Sequence, residues 1–233
     1  MINIKTGEGK MVFTFFLFSF FTIAMGLTAK TAKDAYFLSR FEKSILPLMF
    51  LVVAVAIAPI LSGYTKLAKK LAPKIMFILT TSIFCFSFIL SQSLISGWVV
   101  PAIYVWVEIV VAIALIQFWA FAAESFQPQQ AKRLFGIIAG GGSFAVMLIG
   151  MNLRPFVSAF GTDELLYLAS GFMVIAFLFG LLSMNYMKTD SGQKSKPKTS
   201  AVKSKKKKDP FVTGIAMIIA LSGIVTVLSL IHI

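Results

Sequence analysis

Six predominantly apolar runs, each about 20 residues long, constrain this chain more than any other feature. They cover Met11–Ala29, Ser44–Gly63, Ile75–Ser96, Trp98–Ala122, Gly136–Val157 and Leu165–Met187. A helix rising ~1.5 Å per residue needs ~20 residues to cross a bilayer core of ~30 Å. In lipid only helices and closed barrels satisfy their own backbone hydrogen bonds. Barrel strands alternate apolar and polar residues, whereas these runs are apolar on every side, so helices are expected. The chain is 58% hydrophobic and 13% charged, where a soluble domain is near half apolar and about a quarter charged. The expected fold class is an all-α, multi-pass integral membrane protein. Lys5 and Lys10 precede the first run as they would in a signal peptide. That run is long for a signal h-region and no small-residue cleavage site follows, so it reads as a retained span.

Basic residues are distributed unevenly between the loops. With a cytoplasmic N-terminus, the inner segments hold Lys5, Lys10, Lys66, Lys69, Lys70, Lys74, Lys132, Arg133 and nine lysines between Lys188 and Lys208. That places 17 of the 22 basic residues inside, the bias expected of cytoplasmic loops. The outer side keeps Lys30, Lys33, Arg40, Lys43 and Arg154. The expected location is a bacterial inner membrane.

Residues 188–210 are rich in lysine, serine and threonine and contain Pro197 and Pro210. Such a composition buries too little apolar surface to fold, so a disordered cytoplasmic linker is expected. Its Lys205–Lys208 run reads as a topology signal able to touch anionic lipid rather than as a nucleic-acid site. A seventh apolar run, Phe211–Ile233, follows. The expected organisation is a six-span unit over 1–187, the linker over 188–210 and the first helix of a second half over 211–233. Six spans followed by a long basic loop match the first half of a major facilitator transporter. The chain then requires its C-terminal half, or a second copy, to complete a pathway.

Four of the five outer basic residues crowd into Lys30–Lys43, between the first two runs. Read as a helix continuing the first span, this segment places Lys30, Lys33, Asp34, Phe37 and Phe41 on one face. Arg40, seven residues from Lys33, returns to nearly the same direction, ~10 Å along the axis. Two cations at that spacing suit a polyanion such as a di- or triphosphate, lysine acting as a point charge and arginine as a fork. Asp34 is placed to pair with Lys30 or Lys33 and to neutralise the empty site. Snorkelling to the outer interface is the competing reading.

Glu108 lies mid-span in the fourth run. A charge at the bilayer centre costs ~2.5–3.5 kcal/mol even on the lenient insertion scale, and such residues face a bundle interior or a water-filled path. A transport role is weighed against a protonated carboxyl hydrogen-bonded within the bundle. Gly136, Gly140, Gly141 and Gly142 form a small-xxx-small pattern that lets helix backbones approach in lipid. Thr80, Thr81, Ser82, Ser87, Ser91 and Ser93 lie along the third run and are expected mostly to bond back to their own helix.

Other chemistry finds little support. Cys85 is the lone cysteine and His232 the lone histidine, so no His/Cys metal cluster and no intrachain disulfide can assemble. No cofactor is expected. Gly7-Glu8-Gly9-Lys10 lacks the first glycine and the hydroxyl of a phosphate loop, and Gly140-Gly141-Gly142 follows no strand. Catalysis lacks a nucleophile–base pair, so the chain is not expected to be an enzyme.

Three stretches resemble the ATP/ADP antiporter family of nucleotide transporters. Lys33-Asp34-Ala35-Tyr36-Phe37-Leu38-Ser39-Arg40-Phe41 looks like its basic-Asp motif after the first span. Phe118-Trp119-Ala120-Phe121-Ala122-Ala123-Glu124 looks like its Phe-Trp-x-Phe-Ala-Asn-Glu pattern, with Ala123 in place of Asn. Gln130-Ala131-Lys132-Arg133-Leu134-Phe135-Gly136, followed by Gly140-Gly141-Gly142-Ser143, looks like its linker into the fifth span. The resemblance covers about residues 11 to 185. It implies a major-facilitator-type fold exchanging ATP for ADP without a covalent intermediate. It also implies that Lys33 and Glu108 match the family's transport-critical lysine and fourth-span glutamate. Transport of another organic anion or a drug, and a non-transporting membrane interaction protein, are the alternative expectations.

Overall fold

The computed structural model describes residues 8–68, 70–93 and 99–186. They form six membrane-length helices: α1 (Gly9–Leu38), α2 (Leu46–Ala68), α3 (Pro73–Ser93), α4 (Val100–Ser125), α5 (Pro128–Phe160) and α6 (Leu165–Ser183). Short 3-10 turns occupy Lys43–Ile45 and Met184–Tyr186, and no strand occurs among the described residues. The protein is an all-α membrane protein. The expected linker 188–210 and seventh run 211–233 lie outside the described residues.

Helix ends follow local chemistry rather than the hydropathy edges. α1 runs nine residues past the expected Ala29. The Ser39 and Phe41 amides close its last turn on the Ala35 and Phe37 carbonyls at 3.0 and 2.9 Å. α5 starts eight residues before the expected Gly136, with Pro128 in its first turn and a reciprocal capping box between Gln127 and Gln130. Lys132 and Arg133 are therefore helical, not loop, residues. α5 stops at Gly161, whose φ of +91° is a conformation that side chains with a Cβ avoid.

α1 is the central helix. It packs on α4, α5 and α6, while α3 lies against α6 and α4, and α2 rests on α4. Phe15, Phe18, Ala24, Ala29, Ala32 and Phe37 of α1 are buried, whereas α2 buries only Met49 and Val53. α1 and α5 run parallel, because Arg133 reaches Glu8 and Gly142 lies against Ser19 and Ile23. On α1 no charge separates Lys10 from Lys30, and on α5 none separates Arg133 from Arg154. Those intervals, 20 and 21 residues, span ~30 Å, the thickness of the hydrocarbon core. Lys10 with Arg133 and Lys30 with Arg154 thus mark its two edges. Phe13, Val55, Phe86, Met147 and Met151 are exposed between them, as lipid-facing side chains are.

The four glycines expected at a helix interface divide into two pairs. A Cβ on Gly141 would run into the Phe16 carbonyl of α1, and one on Gly142 would come within 3.0 Å of Ile23 Cγ1. These two let α5 approach α1. Gly136 and Gly140 meet nothing within 4 Å and contribute no packing here. The 100° turn per residue explains the split: Leu134, Ile138, Gly141, Gly142 and Ala145 face α1, and the Gly136–Gly140 pair faces away.

Candidate charged site between two helices

α1 carries Gly26, Lys30 and Lys33 toward α4, and α4 answers with Val111, Glu108 and Tyr104. The approach is close at Gly26, where a Cβ would sit 3.2 Å from Val111 Cγ1. Seven residues on, after two turns that keep the same direction, Lys33 meets the partners of α4. Its Nζ lies 3.3 Å from Glu108 Oε1, 2.7 Å from Asp34 Oδ1 and 3.5 Å from the centroid of the Tyr104 ring. Lys30 Nζ lies 2.8 Å from the second Glu108 oxygen, Oε2. Glu108 thereby bridges two ammonium groups, one per oxygen.

The exposures differ sharply within this cluster. Lys33 is 3% exposed and Glu108 19%, against 44% for Lys30 and 49% for Asp34. A lysine this buried is rare unless paired, and the three surrounding groups account for its three donors, the Tyr104 ring face serving as the third acceptor. Snorkelling does not describe Lys33, which points into the bundle. Lys30 and Asp34 keep an open side, so the cluster is reachable from its rim. Two lysines and two carboxylates leave it formally neutral, as expected from Asp34. The cluster sits where the middle core of Met25, Ala29, Val107 and Val110 gives way to the end core of Ala32, Phe37, Tyr104 and Leu165.

Arg40 does not join it. α1 ends at Leu38, and Arg40 lies in the following turn, exposed, with its amide on the Phe37 carbonyl at 3.1 Å. Phe37 and Phe41 stack with centroids 4.9 Å apart, and the Tyr36 hydroxyl donates to the Asp163 carbonyl at 3.1 Å. These contacts turn the chain before the seven-residue repeat can bring Arg40 back over Lys33. Glu108 is also shallower than mid-span, eight residues or ~12 Å from the start of α4, near the edge marked by Lys30.

Three polar features escaped the sequence reading. Tyr104, one helical turn before Glu108, was marked only by its i, i+4 spacing. Glu8 accepts from Gln130 Nε2 at 3.0 Å and pairs with Arg133 at 2.5 Å, tying the start of α1 to the start of α5. Gln117 donates to Thr80, whose hydroxyl in turn bonds the Met76 carbonyl at 2.7 Å. Gln117 also lines a cavity of about 20 Å³ with Thr22 and Thr81. Thr80 and Ser87 do bond back to their own helix, as expected. The Phe118–Glu124 stretch supplies core through Phe118 and Phe121, while Trp119 packs on Phe135 and Glu124 is exposed.

Chemically, the cluster offers two ammonium groups bridged by Glu108, one of them also paired with Asp34, at the boundary of the hydrocarbon. An incoming anion competes with Glu108 for both. No family model, curated protein or solved structure matches the chain.

Proposed function

We propose that this protein carries an anionic solute across the membrane, with a nucleotide such as ATP or ADP as the preferred cargo. The observation that supports it most is Lys33, a buried ammonium reached by Glu108 from a second helix. Charges inside transmembrane helices are costly and tend to mark substrate or ion pathways. A di- or triphosphate presents several anionic oxygens, enough to take Lys30 and Lys33 from Glu108 together. The displaced carboxylate then favours rearrangement of α1 against α4, which is the step alternating access requires. In this reading the six helices act as one major-facilitator-type half, the N-terminus is cytoplasmic, and the membrane is a bacterial inner membrane. Cargo moves without covalent chemistry. Arg40 is left out of the binding set.

Counter-exchange of labelled ATP in ADP-loaded proteoliposomes tests it. Lys33→Ala and Glu108→Gln are each expected to lower exchange at least tenfold while membrane insertion is kept. Wild-type exchange in both variants overturns the assignment of the site. Exchange of phosphate-free organic anions but not of nucleotide transfers the reading to an organic-anion carrier.

A further inference from the structure

A second site of a different kind lies at the opposite edge of the hydrocarbon, on the outer flank of α1 and α5. An open groove of about 630 Å³ is lined by Phe16 of α1 and by Arg133, Gly136, Ile137, Gly140 and Phe144 of α5. We infer that this groove binds an anionic phospholipid, its phosphate on Arg133 and one acyl chain laid over Gly136 and Gly140.

The geometry grades from charge to grease along one line. Arg133 lies five residues, ~7.5 Å, past the start of α5. It marks the hydrocarbon edge together with Lys10, and its long side chain can reach the headgroup layer just beyond that edge, where lipid phosphates lie. From there the groove runs ~16 Å along α5 to Phe144, about half the thickness of the hydrocarbon. Its floor is low because Gly136 and Gly140 have no side chains, and a Cβ at either would meet nothing within 4 Å. Its walls are Phe16, Ile137 and Phe144, apolar throughout.

Arg133 is held but not saturated. Glu8 fixes it through Nη2, and Gln130 in turn holds Glu8. The Nε is buried and shut off from the groove, so the outer N–H groups on Nη1 and Nη2 are the ones offered to a phosphate. A guanidinium has five donors and matches phosphate as a planar fork. The α5 amino terminus is already occupied by the Gln127–Gln130 capping box, so the guanidinium rather than the helix end is the anion donor. Basic pockets between transmembrane helices bind acidic headgroups in this way. The separation from the Lys33–Glu108 cluster makes this inference independent of the proposed cargo.

Native mass spectrometry of the full chain tests it, with phosphatidylglycerol and phosphatidylcholine of matched acyl chains supplied in equal amounts. Wild-type protein is expected to retain phosphatidylglycerol over phosphatidylcholine by up to about fivefold, the bias of one basic residue reduced by the Glu8 carboxylate beside it. Arg133→Gln is expected to bring that ratio to about one. The paired variant Glu8→Gln/Arg133→Gln removes both charges together, guards against misfolding, and is expected to do the same. Gly136→Leu/Gly140→Leu fills the groove and is expected to cut phosphatidylglycerol retention severalfold with the melting temperature unchanged. Equal retention of the two lipids by wild type overturns the inference, as does a preference that survives both Arg133 variants. Displacement of the lipid by 10 mM inorganic phosphate would reveal a headgroup site without a chain groove. A doubled mass abolished by Gly136→Leu/Gly140→Leu would assign the groove to a second copy of the chain.

Discussion

Replacing Glu108 by glutamine should loosen the α1–α4 contact by a calculable amount. The bond to Lys30 involves a half-exposed ammonium and is worth ~0–1 kcal/mol. The pair with Lys33 is buried, and removing one partner of such a pair costs ~3–5 kcal/mol when the other charge is stranded. Lys33 is not wholly stranded, since Asp34 remains at 2.7 Å and the Tyr104 ring below it. Glutamine also leaves a neutral acceptor, and the gap between a charge-assisted and a neutral hydrogen bond is ~1–1.5 kcal/mol. The net loss is then ~2–3 kcal/mol. At ~2–4 °C per kcal/mol for a chain of this size, the melting temperature should fall by ~4–12 °C. Cys85 supplies the assay, being the sole cysteine and partly buried, so a maleimide dye reports unfolding in detergent. Asp34→Asn, at a carboxylate half open to solvent, should cost ~0–1 kcal/mol and shift melting by less than ~4 °C. In Lys33→Met/Glu108→Gln the two losses should be less than additive, because neither charge is left behind. Equal melting of Glu108→Gln and Asp34→Asn would overturn this expectation, since Lys33 would then be satisfied without the second helix.

Three further outcomes are expected. Gly141→Ala should destabilise by ~1–3 kcal/mol through overpacking against the Phe16 carbonyl, whereas Gly136→Ala should be neutral or stabilising, both read by the same thermal assay. Thr22→Val should leave melting within about 2 °C, because the buried Thr22 hydroxyl has no hydrogen-bond partner among the described residues and loses nothing by removal; a larger fall would place a bonded water in the adjoining cavity. Arg40→Gln should keep at least half of wild-type nucleotide exchange, and a loss as large as that of Lys33→Ala would return Arg40 to the binding set.

The helices were legible because lipid leaves little choice. A run of ~20 apolar residues has to satisfy its backbone internally, so its length and composition dictate a span. Their ends were less legible, since hydropathy does not see a capping box or a turn closed by stacked phenylalanines. Lys132 and Arg133 read as loop residues for that reason and turned out to be helical.

Within the charged segment, the sequence alone determined that Lys30, Lys33 and Asp34 share one region of α1, because helical periodicity is local. It determined equally that Glu108 needed a partner, because an unpaired charge among apolar residues is costly. It did not determine which partner. Lys33 and Glu108 are 75 residues apart, and only the packing of α1 on α4, permitted by Gly26 against Val111, brings them to 3.3 Å. The same packing put Tyr104 under Lys33, ended α1 before Arg40 could return, and turned Gly141 and Gly142 inward but Gly136 and Gly140 outward. Periodicity fixes which residues share a face; which face meets another helix is decided by side-chain volume across the interface, and that exists only in the folded bundle.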